Sequence, residues 1–114
     1  MRLWTPVKLR TLKGKTKFAT VTCYDATSAT LIEAMGLDAF PLVLVGDSLG
    51  MTMQGHGTPL PVTMDEMVYH TRCVGRVLRT PMLVADLPFG AYQTGDDDGF
   101  PTPSASSKRA GPMA

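Results

Sequence analysis

Two short runs of apolar, β-prone residues, Leu42-Val43-Leu44-Val45 and Met82-Leu83-Val84-Ala85, each lead directly into a lone aspartate: Asp47 in Gly46-Asp47-Ser48-Leu49-Gly50 and Asp86 in Asp86-Leu87-Pro88-Phe89. Between them stands Thr63-Met64-Asp65-Glu66, an S/T-x-x-E capping box in which Glu66 reaches back to the Thr63 backbone and opens a helix. Strand, helix and strand in that order imply parallel strands joined by right-handed crossovers. The C-terminal ends of such strands open onto the ligand-binding face, so the two carboxylates face one site. Neighbouring strands lie roughly 4.8 Å apart, close enough for both side chains to share one hard cation.

The rest of the pattern agrees with this reading. Thr5-Pro6 reads as an N-cap followed by proline at the first helical position, opening a short helix that Gly14 ends. A first strand is expected over 18–23. From Ala26 the spacing turns helical, with Ser28, Leu31, Ile32 and Met35 on one stripe and Gly36 as the stop. The segment 49–61, with Gly50, Gly55, Gly57, Pro59 and Pro61, reads as a loop. The capping-box helix carries Met67, Thr71, Val74 and Leu78 at the i, i+4, i+7, i+11 spacing of a buried face, and Pro81 prevents its continuation.

Length limits the architecture, since 114 residues suit one small domain and a complete eight-unit barrel needs about 250. A hydrophobic content of 44% and a charged content of 18% exclude a wholly disordered chain. The net charge of +1 gives no reason to expect nucleic acid as a partner. Arg2, Lys8, Arg10, Lys13, Lys15 and Lys17 all precede the first acid, Asp25, and read as a solvated helix face and a Lys-Gly-Lys turn rather than an organellar presequence. No apolar run approaches the ~20 residues of a membrane span, so no membrane association is expected. Cys23 and Cys73 stand in neither a CxxC nor a Cys/His cluster, and read as reduced thiols of a cytoplasmic protein. After Gln93 the character changes: 94–114 has three consecutive aspartates, three glycines, three prolines and three serines, and is expected to be a disordered tail. The expected organisation is therefore an α/β domain over 1–93 followed by that tail.

Six collinear blocks between about residues 8 and 93 make the chain similar to ketopantoate hydroxymethyltransferases. They are Lys13-Gly14-Lys15, Val21-Thr22-Cys23-Tyr24-Asp25, Leu44-Val45-Gly46-Asp47-Ser48-Leu49-Gly50-Met51, Leu60-Pro61-Val62-Thr63-Met64-Asp65-Glu66-Met67, Tyr69-His70-Thr71-Arg72 and Val84-Ala85-Asp86-Leu87-Pro88-Phe89. The resemblance implies a (β/α)8 TIM barrel, of which this chain would be the incomplete N-terminal portion of about three β/α units. It implies Mg²⁺-dependent transfer of a hydroxymethyl group from the co-substrate 5,10-methylenetetrahydrofolate to 3-methyl-2-oxobutanoate, giving 2-dehydropantoate, in a homo-oligomer. Position by position, Asp47 and Asp86 resemble metal ligands that also contact the oxo acid, and Ser48 resembles a partner of the substrate carboxylate. The loop around Gln54-Gly55-His56-Gly57 resembles the active-site loop. A lysine and a glutamate at the end of the fourth strand, and a later catalytic glutamate, have no counterpart here. The chain thus resembles a C-terminally truncated member with no catalytic acid/base of its own, expected not to turn over at a useful rate alone.

Simpler roles stand beside these. A lone strand-end aspartate more commonly caps a helix or turn, Ser48 alone would be a turn or cap residue, and Asp25 is expected to cap the next helix. His56 fits a solvated loop, and His70 fits packing or hydrogen bonding better than a base. Two other function classes arise. One is an inactive barrel fragment that at most associates with a longer homologue. The other is a GDSL-type esterase, because Gly46-Asp47-Ser48-Leu49 spells that nucleophile block. The esterase needs a histidine beside Ser48, and neither His56 nor His70 follows an aspartate at the D-x-x-H spacing.

Overall fold

A computed structural model describes residues 3–36 and 39–90. The tail expected over 94–114 lies outside the described residues, and so does the boundary at 93. The elements run α1 (Pro6–Arg10), β1 (Thr20–Thr22), α2 (Ala26–Ala34), β2 (Leu42–Val45), α3 (Leu49–Thr52), α4 (Met64–Val77) and β3 (Met82–Ala85). The strands form one parallel sheet in the order β1-β2-β3, with Thr22 opposite Leu44 and Leu44 opposite Val84. No helix among the described residues is long and apolar enough to cross a membrane.

Local chemistry sets the starts of α1, α2 and α4. Thr5 accepts from the Lys8 amide at 3.2 Å and Pro6 occupies the first turn of α1. Asp25 accepts from the Ser28 amide at 3.1 Å, the capping role expected of it. At α4 the capping box is complete: Glu66 N–H donates to Thr63 Oγ1 at 3.2 Å, and Thr63 N–H donates to Glu66 Oε1 at 2.8 Å.

The core lies on one face of the sheet. Val43, Val45 and Leu83 point into it and meet Ala29 and Ile32 of α2, Met67 and Val74 of α4 and its C-cap Leu78 in a single cluster. The expected stripe on α4 is buried in full, Thr71 included, its hydroxyl donating to Met67 O at 2.7 Å. The stripe expected on α2 is not. Ala29 and Ile32 are buried, whereas Leu31 and Met35 are 65% and 61% exposed. The completely buried Ala29 has no bulk to hold α4 away, so α2 presents that small position to its neighbour and turns Leu31 and Met35 outward.

Two further expectations are corrected. β1 covers only Thr20–Thr22, because Thr20 pairs with Leu42, the first residue of β2, and the Pro41 before it has no N–H to extend the ladder. The segment 49–61 opens with the one-turn α3 rather than a loop. Its Gly50 is required by packing, since a Cβ there would collide with Val62 Cγ2.

The amides that follow α4 are held by a distant carboxylate. Glu33 of α2 accepts from Arg79 N at 2.8 Å and from Thr80 N at 2.9 Å, tying α2 to the entrance of β3. The N-terminal segment joins the same place, with Trp4 N–H donating to Thr80 O at 3.0 Å. Both cysteines are free thiols, as expected.

Candidate functional site

Side chains alternate across a strand, so Thr22, Leu44 and Val84, which pair across the sheet, share the face opposite α2 and α4. Two residues further on stand Tyr24, Gly46 and Asp86, the next row of that face at the C-terminal strand ends. The ladder reaches this far: Cys23 N–H donates to Leu44 O and Asp86 N–H to Val45 O, each at 3.0 Å. Gly46 is the gap in the row. A Cβ built on it would stand 3.2 Å from Asp86 Oδ2 and 3.4 Å from Ser48 Oγ, so both oxygens crowd the space its missing side chain leaves.

Asp47 and Ser48 form the turn between β2 and α3. Asp47 is half-buried, and its carbonyl accepts from Gly50 N–H at 3.0 Å. Ser48 sits at the N-cap of α3 but its hydroxyl caps nothing. It lies 2.8 Å from the Tyr24 hydroxyl instead. Among the described residues neither the Asp47 nor the Asp86 carboxylate takes part in a hydrogen bond or ion pair. Asp47, Ser48 and Asp86 thus stand at the adjacent ends of β2 and β3, where Asp86 Oδ2 and Ser48 Oγ come together over Gly46.

Tyr24 is the residue that sequence reasoning passed over, although it lies in the Val21-Thr22-Cys23-Tyr24-Asp25 block. Burial pushes its phenol up, but hydrogen bonds with Ser48, Thr22 and Thr52 outweigh that and leave it below its usual value. Its backbone is pinned as well, because His70 Nδ1–H on α4 donates to Tyr24 O at 2.7 Å. That is the hydrogen-bonding role expected of His70. The available signal was positional: Tyr24 stands two residues after the last residue of β1, as Gly46 and Asp86 stand relative to the paired Leu44 and Val84.

The other candidates lie elsewhere. His56 is exposed in the loop after α3, where its N–H donates to Gly50 O at 2.9 Å. Gln54 helps lower the Glu66 pKa, and among the described residues its Oε1 is buried without a hydrogen-bond partner. Cys23 is buried, its thiol donating to Asp25 O at 3.5 Å, and burial pushes its pKa up, the opposite of the shift that activates a thiol. Ser48 has a phenol rather than an imidazole beside it, which leaves it without the activating base of a serine hydrolase.

The donors at the strand ends are all oxygens, two carboxylates with a serine hydroxyl beside them, the set a hard divalent cation takes. Among the described residues no cluster of three or more His, Cys, Asp or Glu side chains forms a self-sufficient cage. Such a pair suits Mg²⁺, which is usually held by one or two carboxylates and completes its shell with substrate and water.

The profile of the ketopantoate hydroxymethyltransferase family matches residues 4–111. This chain belongs to the ketopantoate hydroxymethyltransferase family. It is 52% identical over 92 residues to the 3-methyl-2-oxobutanoate hydroxymethyltransferase of Thiobacillus denitrificans, covering 77% of this chain and 34% of that protein. The enzyme of the same name from Magnetococcus marinus is 49% identical over 94 residues, 82% of this chain and 34% of the relative. That from Pyrococcus abyssi is 44% identical over 100 residues, 88% and 34% respectively. The chain thus spans about a third of the length of these hydroxymethyltransferases. The matched interval runs beyond residue 93.

Proposed function

We propose that the strand ends carrying Asp47, Ser48 and Asp86 bind a 2-oxo acid together with Mg²⁺. They serve the transfer of a hydroxymethyl group from 5,10-methylenetetrahydrofolate to 3-methyl-2-oxobutanoate, giving 2-dehydropantoate. The sheet is then the first three strands of a (β/α)8 barrel, with the helix-free face turned to its interior. The observation that carries the reading is the meeting of Asp86 Oδ2 and Ser48 Oγ over Gly46, next to Asp47, with both carboxylates engaged by no side chain or amide among the described residues. The names of the relatives supply the substrate.

Asp47 and Asp86 hold the cation through their carboxylate oxygens. When bound, Mg²⁺ supplies Lewis-acid stabilisation of the negative charge that develops on the oxo acid, acidifying the adjacent C–H. Ser48 donates its hydroxyl hydrogen to a carboxylate oxygen of the substrate and fixes its orientation. Leu44 and Val84, one row deeper on the same face and half-buried, offer apolar contact to a branched side chain. The base that takes the proton from carbon is assigned to no residue of this chain.

Isothermal titration of 3-methyl-2-oxobutanoate into the protein, with and without Mg²⁺, tests the reading. Binding that requires Mg²⁺ and disappears in Asp47→Ala is expected. Binding that is indifferent to Mg²⁺, unchanged in Asp47→Ala, or absent altogether would overturn it.

A further inference from the structure

We propose that Tyr24 is a positioning residue for the 2-oxo acid: its hydroxyl holds the Ser48 side chain in the one orientation that faces Asp86 across Gly46. This rests on the reading of Ser48 as a contact of the substrate carboxylate.

A serine at a helix N-cap ordinarily turns its hydroxyl back onto the amides of the first turn. Ser48 has the position and not the bond, and α3 starts without side-chain capping. The 2.8 Å contact to the Tyr24 hydroxyl replaces it and keeps Ser48 Oγ within 3.4 Å of the point a Gly46 Cβ would occupy, where Asp86 Oδ2 also arrives.

Tyr24 can hold another side chain because its own backbone is held. Its carbonyl accepts from His70 of α4 at 2.7 Å, and Thr22 of β1 and Thr52 of α3 stand near enough to its phenol to help lower its pKa. Thr52 also donates to Ser48 O at 3.2 Å, fixing the serine backbone. A hydroxyl on a rigid ring whose backbone is anchored loses little freedom on making its bond. A lone serine side chain would otherwise hop among three rotamers. Ser48 is therefore presented to substrate already oriented, and the entropy of ordering it is lost on folding rather than on binding.

The test combines a conservative variant with a spectroscopic readout on the whole chain. Tyr24→Phe keeps the ring and removes the hydroxyl. In the free protein the Hα–Hβ couplings of Ser48 are expected to report one rotamer, and Tyr24→Phe is expected to average them; averaged couplings in the wild type, or couplings unchanged in the variant, overturn the positioning. With Mg²⁺ present, Tyr24→Phe is expected to weaken 3-methyl-2-oxobutanoate binding by roughly three- to tenfold, the size of one lost hydrogen bond. In a Ser48→Ala background the same change is expected to do nothing further. A full Tyr24→Phe effect in that background would mean that Tyr24 acts on substrate by another route, and it overturns the proposal. Failure of the wild type to bind the oxo acid would overturn the substrate assignment, while the coupling measurement still decides the role of Tyr24 toward Ser48.

Discussion

A single absent side chain makes room for the proposed site. Gly46 has ordinary backbone angles, so its value is space rather than conformation. Gly46→Ala places a methyl against Asp86 Oδ2 and Ser48 Oγ, at 3.2 and 3.4 Å, tighter than comfortable packing. The change is expected to weaken Mg²⁺-dependent oxo-acid binding at least tenfold while moving the unfolding free energy by less than about 1 kcal/mol, since the contacts sit at an open strand end. Titration calorimetry and urea unfolding of the same preparation separate the two effects. The thiols are another residue-level case. Cys23 is buried and its thiol pKa is raised, while Cys73 is only half-buried. Alkylation with iodoacetamide near neutral pH is expected to modify Cys73 first and Cys23 only as the protein unfolds, as peptide mass analysis would show.

At the level of elements, α4 carries most of the packing and shows why some of the fold was readable. Its start is encoded in four consecutive residues and its buried face in a regular spacing, both local signals that later packing does not alter. Thr63→Ala is expected to cost about 1 kcal/mol and Leu78→Ala about 2–5 kcal/mol, read from urea unfolding. The α2 stripe was misread because it depends on which face a neighbour can approach, and a completely buried Ala29 decides that only once α4 is in place. Helix α3 was missed for a related reason: Gly50 looked like a breaker, but it answers to Val62, twelve residues away. Tyr24 escaped notice because a tyrosine after a strand carries no signal of its own until strand register sets it beside Ser48.

The helix caps also fix an acid limit. The Ser28 side chain and amide lower the Asp25 pKa, and the Thr63 backbone N–H, the largest contribution, lowers that of Glu66. A carboxylate depressed on folding stabilises the protein above its unfolded value, about 3.9 for Asp and 4.3 for Glu, and loses that contribution as pH falls through the lower folded value. The first turns of α2 and α4 are therefore expected to loosen below about pH 4.3. Amide exchange at Ser28 and Glu66, rising on acidification before the core unfolds, would register this. Protection unchanged down to global unfolding would contradict it.

For the whole molecule, the two faces of the sheet differ sharply. α2 and α4 cover one, while Leu42, Leu44, Met82 and Val84 are only half-buried on the other, and β1 and β3 each have a single neighbour among the described residues. Parallel sheets are normally covered on both faces. An apolar face that no described helix covers is expected to bind a fluorescent hydrophobic dye and to promote association of the isolated chain at micromolar concentration, measurable by light scattering. A monodisperse monomer that binds no dye would show that the face is closed by other means. The parallel order of the strands was legible in the sequence because crossover helices leave so few alternatives; which side α2 and α4 cover was not, because alternation in strands of three or four residues is too short to distinguish the two sides.

The central claim is that Asp47 and Asp86 form one cation site beside Ser48. Replacing Mg²⁺ with paramagnetic Mn²⁺ in the presence of 3-methyl-2-oxobutanoate, and recording the amide spectrum of the isotope-labelled chain, tests it most directly. Selective broadening of Gly46, Asp47, Ser48 and Asp86, abolished in Asp47→Ala, is the expected result. Broadening centred instead on Asp65 and Glu66 at the start of α4, or none at the strand ends, would contradict it.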